Sequence, residues 1–187
     1  MVALFIISFA GLGASEMINS AFSFIGSAQD KLTAKNLAYE GLEVALNVVN
    51  TNLIRYGNAA CLYLDPAKHP PCNSGNRLEG NYRLIFREPS ILEQFDIELD
   101  KVSAGDLDLS KDQSLVNESY LLSQKGDFLT FDQNAPPEKK TKFYRMIKIG
   151  YDSGGNMAAV SLAQWKRGET VKTMKTQKII YDKSQFK

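Results

Sequence analysis

The residue types that most often carry catalysis or hold metals are sparse in this 187-residue chain. His69, between Lys68 and the pair Pro70-Pro71, is the sole histidine. It reads as a surface-loop residue rather than a general base. Cys61 and Cys72 flank it in CLYLDPAKHPPC. Two thiols cannot close a zinc site, and their spacing is not that of a redox pair. They read either as a disulfide closing a short loop outside the cytoplasm, where such a bridge contributes roughly 2–4 kcal/mol, or as two free thiols. The string Ser184-Gln-Phe-Lys187 spells S-x-x-K at the C-terminal end without a helical context, so it is a chance match. Gly154-Gly155 falls between two apolar alternating runs and serves a hairpin rather than a phosphate.

Two charged segments invite other chemistry. DLDLSKD places Asp106, Asp108, Ser110 and Asp112 at the alternate spacing of a calcium loop. The match then departs, because Lys111 takes the glycine position and Asn117 the glutamate position, with Glu118 one residue late. A solvated acidic loop and a calcium site of another type both remain open. In the last third, Lys172, Lys175 and Lys178 recur every third residue and cannot share one face of a regular strand. Trp165, Tyr144 and Tyr151 are better placed as core or sheet-face aromatics than as base-stacking platforms, and no nucleic-acid contact is expected. The overall charge of +1 conceals an asymmetry: residues 79–138 carry 13 acids against 5 bases (net −8), and residues 139–187 carry 3 acids against 12 bases (net +9). The two stretches are expected to pair, within the fold or between subunits.

The elements that would position these residues fall into two textures. With 44% hydrophobic and 23% charged residues, the composition is that of a folded chain of one domain plus an accessory segment. From Met1 to Ile25 the chain is largely apolar and contains no Lys or Arg, with Glu16 and Asn19 as interruptions. Residues 28–54 then turn amphipathic, with Leu32, Leu37, Ala38, Leu42, Ala45, Leu46, Val49 and Leu53 at helical spacing. No proline precedes Pro66, so one helix is predicted up to Tyr56, with Gly57 as its cap. After a loop rich in Pro, Gly and Asn, NYRLIF and FDIEL alternate as half-buried strands, and SYLLSQKGDFLTF reads as two strands around Lys125-Gly126. KFYRMIKIGY, MAAVSLAQWK and TVKTMKTQKIIYD, joined by DSGGN and RGE, predict an antiparallel meander. One long helix followed by clustered strands gives an α+β class.

Here the residues resemble a family. MVALFIISFAGLGA resembles the interior of the N-terminal helix of type IV pilins and the pseudopilins of type II secretion, where it follows a short leader and a G-F-x-x-x-E-V motif. AQDKLTAKNLAYEGLEVALNVVN is similar to the A-x-x-L-A-x-E-G-I-E segment of minor pilin-like proteins. FYRMIKI and VSLAQWKRGETVKTMKTQKIIYD resemble their closing strands, while residues 58–140 have no counterpart. The leader, its processing site and the glutamate near the mature N-terminus are absent, so the chain is read as N-terminally incomplete, with Glu16 too deep in the helix to substitute.

The resemblance implies a pilin-like fold with a long helix packed on an antiparallel sheet, and three parts: an assembly half of the helix at 1–25, embedded in the membrane before assembly, an amphipathic half at 26–57 and a globular β domain at 58–187. It implies a non-enzymatic filament subunit without cofactor or metal. Its partners would be other pilin or pseudopilin subunits and, before assembly, membrane lipid. Its location would be the inner membrane, single-pass with the C-terminal domain outside the cytoplasm, and then a periplasmic or extracellular filament. Ala10 and Ala14, and Gly11 and Ser15, stand four apart as small residues permitting close helix approach. Gly26 and Ser27 mark a site where the helix can bend. The alternative is a secreted or anchored envelope binding domain with a Sec signal at 1–15, although the usual positive start is missing.

Overall fold

The computed structural model describes residues 2–56, 78–87, 96–103, 105–111, 114–125, 128–132, 134–152 and 156–181. Two compact units divide the chain, Met1–Thr33 and Ala34–Lys187. Helix α1 spans Val2–Tyr56 and thus contributes to both. The predicted helix therefore forms over its whole expected length.

Among the described residues no helix is long and apolar enough to cross a membrane. This corrects the expected placement as a single-pass inner-membrane protein. The cause is compositional: beyond Leu12 the apolar run is broken by Ser15, Glu16, Asn19, Ser20 and Ser23, and polar or charged groups at the centre of a bilayer are costly.

The second unit is α+β. Among the described residues its strands are β1 (Gly80–Arg87), β2 (Asp96–Val102), β3 (Leu121–Lys125), β4 (Phe128–Thr130), β5 (Lys140–Tyr151), β6 (Met157–Arg167) and β7 (Thr170–Tyr181), all antiparallel in one sheet. A short helix α2 (Ser114–Glu118) precedes β3, and a 3-10 turn at Pro137–Lys139 leads into β5. The sequence reading anticipates neither. β5 is the hub. One edge pairs with β6, from Phe143↔Trp165 to Tyr151↔Met157. Its other edge is shared, with β3 near its start (Leu121↔Tyr144) and β1 near its end (Tyr82↔Ile147).

The β6–β7 turn shows how local sequence sets register. Arg167 pairs with Thr170, leaving Gly168-Glu169 as a two-residue loop. Gly168 takes φ +60°, the left-handed value that the first position of a II′ hairpin requires. β7 has β6 as its one neighbour among the described residues, and its exposed Lys172, Lys175 and Lys178 line that edge. Lysines there discourage pairing with another strand.

Strand alternation decides what α1 meets. On β5, Phe143, Ile147 and Ile149 turn to one face, and on β6 Ala159, Ser161, Ala163 and Trp165 do the same. Ala34, Leu37 and Ala38 pack with Phe143, Ala163 and Trp165. Further along, Leu42, Ala45 and Val49 pack with Tyr82, Leu84, Ile147, Ile149 and Ala159. Each Leu or Ile removed from water here contributes about 1.5–3 kcal/mol. Small residues on both sides allow the contact to be close. A Cβ added to Gly41 would stand 2.5 Å from Ser161 Oγ and 3.2 Å from Ile147 Cγ1. The opposite sheet face carries a second cluster in which Leu107, Leu109 and Tyr120 cover Met146.

One buried charge lies in the helix-facing layer. Arg145 has a side chain only 1% exposed, and its Nη1 donates to Glu40 Oε2 at 2.9 Å. Burial pulls its pKa below the ordinary value and Glu40 opposes that pull, and a guanidinium stays charged at neutral pH. Nε and Nη2 of Arg145, and Ser161 Oγ, have no hydrogen-bond partner among the described residues.

Two predictions follow the packing. Gly41→Ala is expected to destabilise by about 1–3 kcal/mol through overpacking. Ser161→Ala should recover part of that loss in the Gly41→Ala background, giving a nonzero coupling in a denaturant double-mutant cycle. Glu40→Ala leaves Arg145 buried without its counter-charge and should cost about 2–3 kcal/mol, whereas Arg145→Met should be neutral or stabilising. Chemical denaturation of the three chains measures both effects.

Candidate functional site

The first unit, Met1–Thr33, is helical from Val2 onward, and the large apolar side chains described in it are exposed. Phe9 is 72% exposed, Met17 77%, Phe22 70% and Phe24 75%. Val2, Leu12, Ile18, Ile25 and Leu32 are also exposed. At about 100° of rotation per residue, Met17, Ile18, Phe22 and Phe24 share an arc of about 160°, and Phe9 and Leu12 point outside it. A lone exposed leucine needs no explanation, but a broad run of large exposed apolar side chains along one helix does. Polar groups interrupt it on one side, where Ser15, Glu16, Asn19 and Ser23 recur at three- and four-residue steps.

The sequence-derived candidates in this helix are placed as follows. Ala10, Gly11, Ala14 and Ser15 are all exposed, and a Cβ built on Gly11 or Gly13 meets nothing within 4 Å. Room for a close neighbour is therefore present on that stretch. Gly26 and Ser27 lie inside α1, which is assigned as helix through both. The candidate disulfide Cys61–Cys72, together with His69, Gly154-Gly155, Asp112, Ser184 and Lys187, lies outside the described residues.

The candidate calcium loop adopts a different purpose in its described part. Leu107 and Leu109 are buried against Met146, so the intervening polar residues are turned outward. Asp106 receives Lys148 Nζ at 2.8 Å and Asn81 Nδ2 at 3.1 Å. The Lys148 hydrogen bond, then the Asn81 one, hold its carboxyl below the usual range. Asp108 accepts from Ser110 Oγ at 2.5 Å and pairs with Lys111 at 3.0 Å, which lowers its pKa in the same order. Both carboxylates already have ammonium partners. Among the described residues no group of three or more His, Cys, Asp or Glu could hold a metal. The Lys148–Asp106 bridge joins the basic stretch to the acidic one within the fold.

This loop is pinned by residues that the sequence reading missed. Leu109 N–H donates to Gln164 Oε1 at 3.0 Å, and Leu107 N–H to Met146 Sδ at 3.2 Å. Asn117, assessed only as a failed calcium ligand, exchanges two 3.3 Å bonds with the Asp108 backbone. Tyr120, fully buried, donates its hydroxyl proton to the Gly105 carbonyl at 3.0 Å. The available signal is the alternation Leu107-Asp108-Leu109, which marks a half-buried segment rather than an open metal loop.

Burial, followed by the Asp106 charge, pushes the Tyr120 hydroxyl up to about 12. The folded chain therefore resists ionising it. The associated stability is complete below the ordinary tyrosine pKa of about 10 and is lost as pH rises through the folded value. Tyr120→Phe should lower stability at neutral pH by about 1 kcal/mol through the lost hydrogen bond. It should also flatten the alkaline decline, as read by denaturant melts from neutral to strongly alkaline pH.

With this geometry established, comparison of the chain with protein-family models, curated proteins and solved structures finds no match.

Proposed function

We propose that this chain is a structural subunit of a filament of the type IV pilin or pseudopilin kind, assembling through the N-terminal part of α1 and having no catalytic role. The observation that carries the reading is the broad uncovered apolar surface of the first unit's helix, formed by Val2, Phe9, Leu12, Met17, Ile18, Phe22, Phe24, Ile25 and Leu32 and interrupted on one side by Ser15, Glu16, Asn19 and Ser23. A helix whose exposed apolar face is this broad is stable in water only when neighbours cover it. A two-helix contact covers one stripe, so enclosure calls for several copies. Ala10, Gly11, Ala14 and Ser15 supply a surface on which a neighbouring backbone can approach closely.

Two further observations favour the reading over a Sec-exported binding domain. α1 is one helix through residue 15, where that alternative places its cleavage. The exposed apolar residues continue well beyond it, to Phe22, Phe24, Ile25 and Leu32. The proposal includes no membrane stage.

The test separates assembly from folding. The full chain should form filaments visible by negative-stain electron microscopy, and Phe22→Glu combined with Phe24→Glu should abolish them. Gly11→Leu should reduce assembly while leaving the thermal transition of the second unit unchanged, because open space surrounds Gly11 in the single chain. A full chain that stays monomeric at high concentration, or assembly indifferent to all three substitutions, overturns the reading.

A further inference from the structure

β5 cannot serve β1 and β3 along the same stretch of its edge, and the way the strands part leaves a cavity. β1 pairs with β5 from Gly80↔Ile149 to Tyr82↔Ile147 and then peels away, because Tyr120 and β3 occupy the next positions, with Arg145 N–H donating to the Tyr120 carbonyl. The β3–β4 hairpin wedges into the fork. Phe131 N–H and Thr130 Oγ1 both reach the Leu84 carbonyl at 3.3 Å. A cavity of about 240 Å³ opens there, lined by Arg83, Glu118, Ser119, Leu121, Ser123, Phe131, Asp132 and Lys140.

Its lining contains two cations and two anions around a small apolar floor. Arg83 is held in place. Its Nε and Nη2 donate to Asp100 Oδ2 at 2.6 Å, and its guanidinium lies 3.7 Å over the Phe131 ring. A guanidinium fixed by stacking and by one carboxylate keeps its remaining edge ordered for a second. Lys140 and Glu118 have no ion-pair partner among the described residues. The volume lies below the roughly 300–1,000 Å³ of sites for drug-sized ligands, which selects a small occupant.

We infer that this fork cavity binds a small zwitterion of the amino-acid or short-peptide class, with its carboxylate on Arg83 and Lys140 and its ammonium on Glu118 and Asp132. Leu121 and Phe131 would lie under the intervening atoms. The site belongs to the second unit and does not depend on the filament reading.

Amide NMR titration of the full-length chain carrying Phe22→Glu and Phe24→Glu, which keeps it unassembled, tests this with four probes: glycylglycine, free glycine, N-acetylglycine and glycinamide. Glycylglycine or glycine should give saturable shifts confined to the cavity lining. The singly charged N-acetylglycine and glycinamide should bind at least about tenfold more weakly. Preference for glycylglycine identifies a peptide site, and equal or tighter binding of glycine identifies a free amino-acid site. Lys140→Gln and Glu118→Gln, both exposed and outside the core, should each weaken binding about tenfold without changing the thermal midpoint. No saturable shift with either zwitterion, equal binding of the singly charged probes, or indifference to both substitutions overturns the inference.

Discussion

The second unit depends on how closely α1 can lie on the sheet. At Gly41 the helix backbone comes so near β6 that even a methyl group would meet Ser161 Oγ. That approach is possible because Ala159, Ser161 and Ala163 form a shallow trough, and because Ala34, Ala38 and Ala45 face it from the helix. Larger residues flank the trough at its two ends, with Phe143 and Trp165 at one and Ile149, Tyr82 and Leu84 at the other. Close packing at the centre brings these flanks into contact with Leu37 and Leu42, and the interior attains its density from that spacing. Arg145 fits the same layer only because Glu40 neighbours the glycine and can reach it.

Much of this was legible as pattern. The parity of Tyr82 and Leu84 on β1, and of Phe143, Ile147 and Ile149 on β5, announces which side faces the core, since side chains alternate along a strand. The tight turn after Arg167 follows from a glycine flanked by two strand-like runs. What pattern could not supply was pairing across long separations. Arg145 shares the parity of Phe143 and Ile147, so it was destined for the interior, but a partner 105 residues away on α1 leaves no local trace. The same limit applies to the acidic loop. The spacing of Asp106 and Asp108 left a solvated loop and a calcium site both open, because Lys148 and the covering role of Leu107 and Leu109 emerge only once the chain has closed. The membrane placement failed for a different reason: it came with the resemblance, while the polar interruptions from Ser15 to Ser23 leave no described helix apolar enough to span a bilayer.

Three ion pairs among the described residues each act over a short stretch of the fold. The acidic and basic stretches meet at Lys148–Asp106, while Arg83–Asp100 and Lys111–Asp108 form inside the acidic stretch. Exposed pairs of this kind contribute little individually, commonly about 0–1 kcal/mol. Lys148–Asp106 and Lys111–Asp108 fix where the loop at 105–111 lies, and Arg83–Asp100 ties β1 to β2. The lysines of β7 sit at a sheet edge, where like charges hinder a second β7 from adding alongside. An assembly held through α1 would thus avoid competition from strand-to-strand association.

The pairing of Glu40 with Arg145 also bears on the order in which the chain can mature. The helix emerges from synthesis first, and its docking surface on β5 and β6 emerges more than a hundred residues later. Contacts of such long sequence separation form slowly. Until they form, Leu37, Leu42, Ala45 and Val49 have no sheet to cover them, on a chain whose first unit is already rich in exposed apolar groups. The nascent protein therefore passes through a vulnerable interval in which both halves of one helix are adhesive, and a holdase or rapid onward handling of the emerging helix would have its greatest effect there.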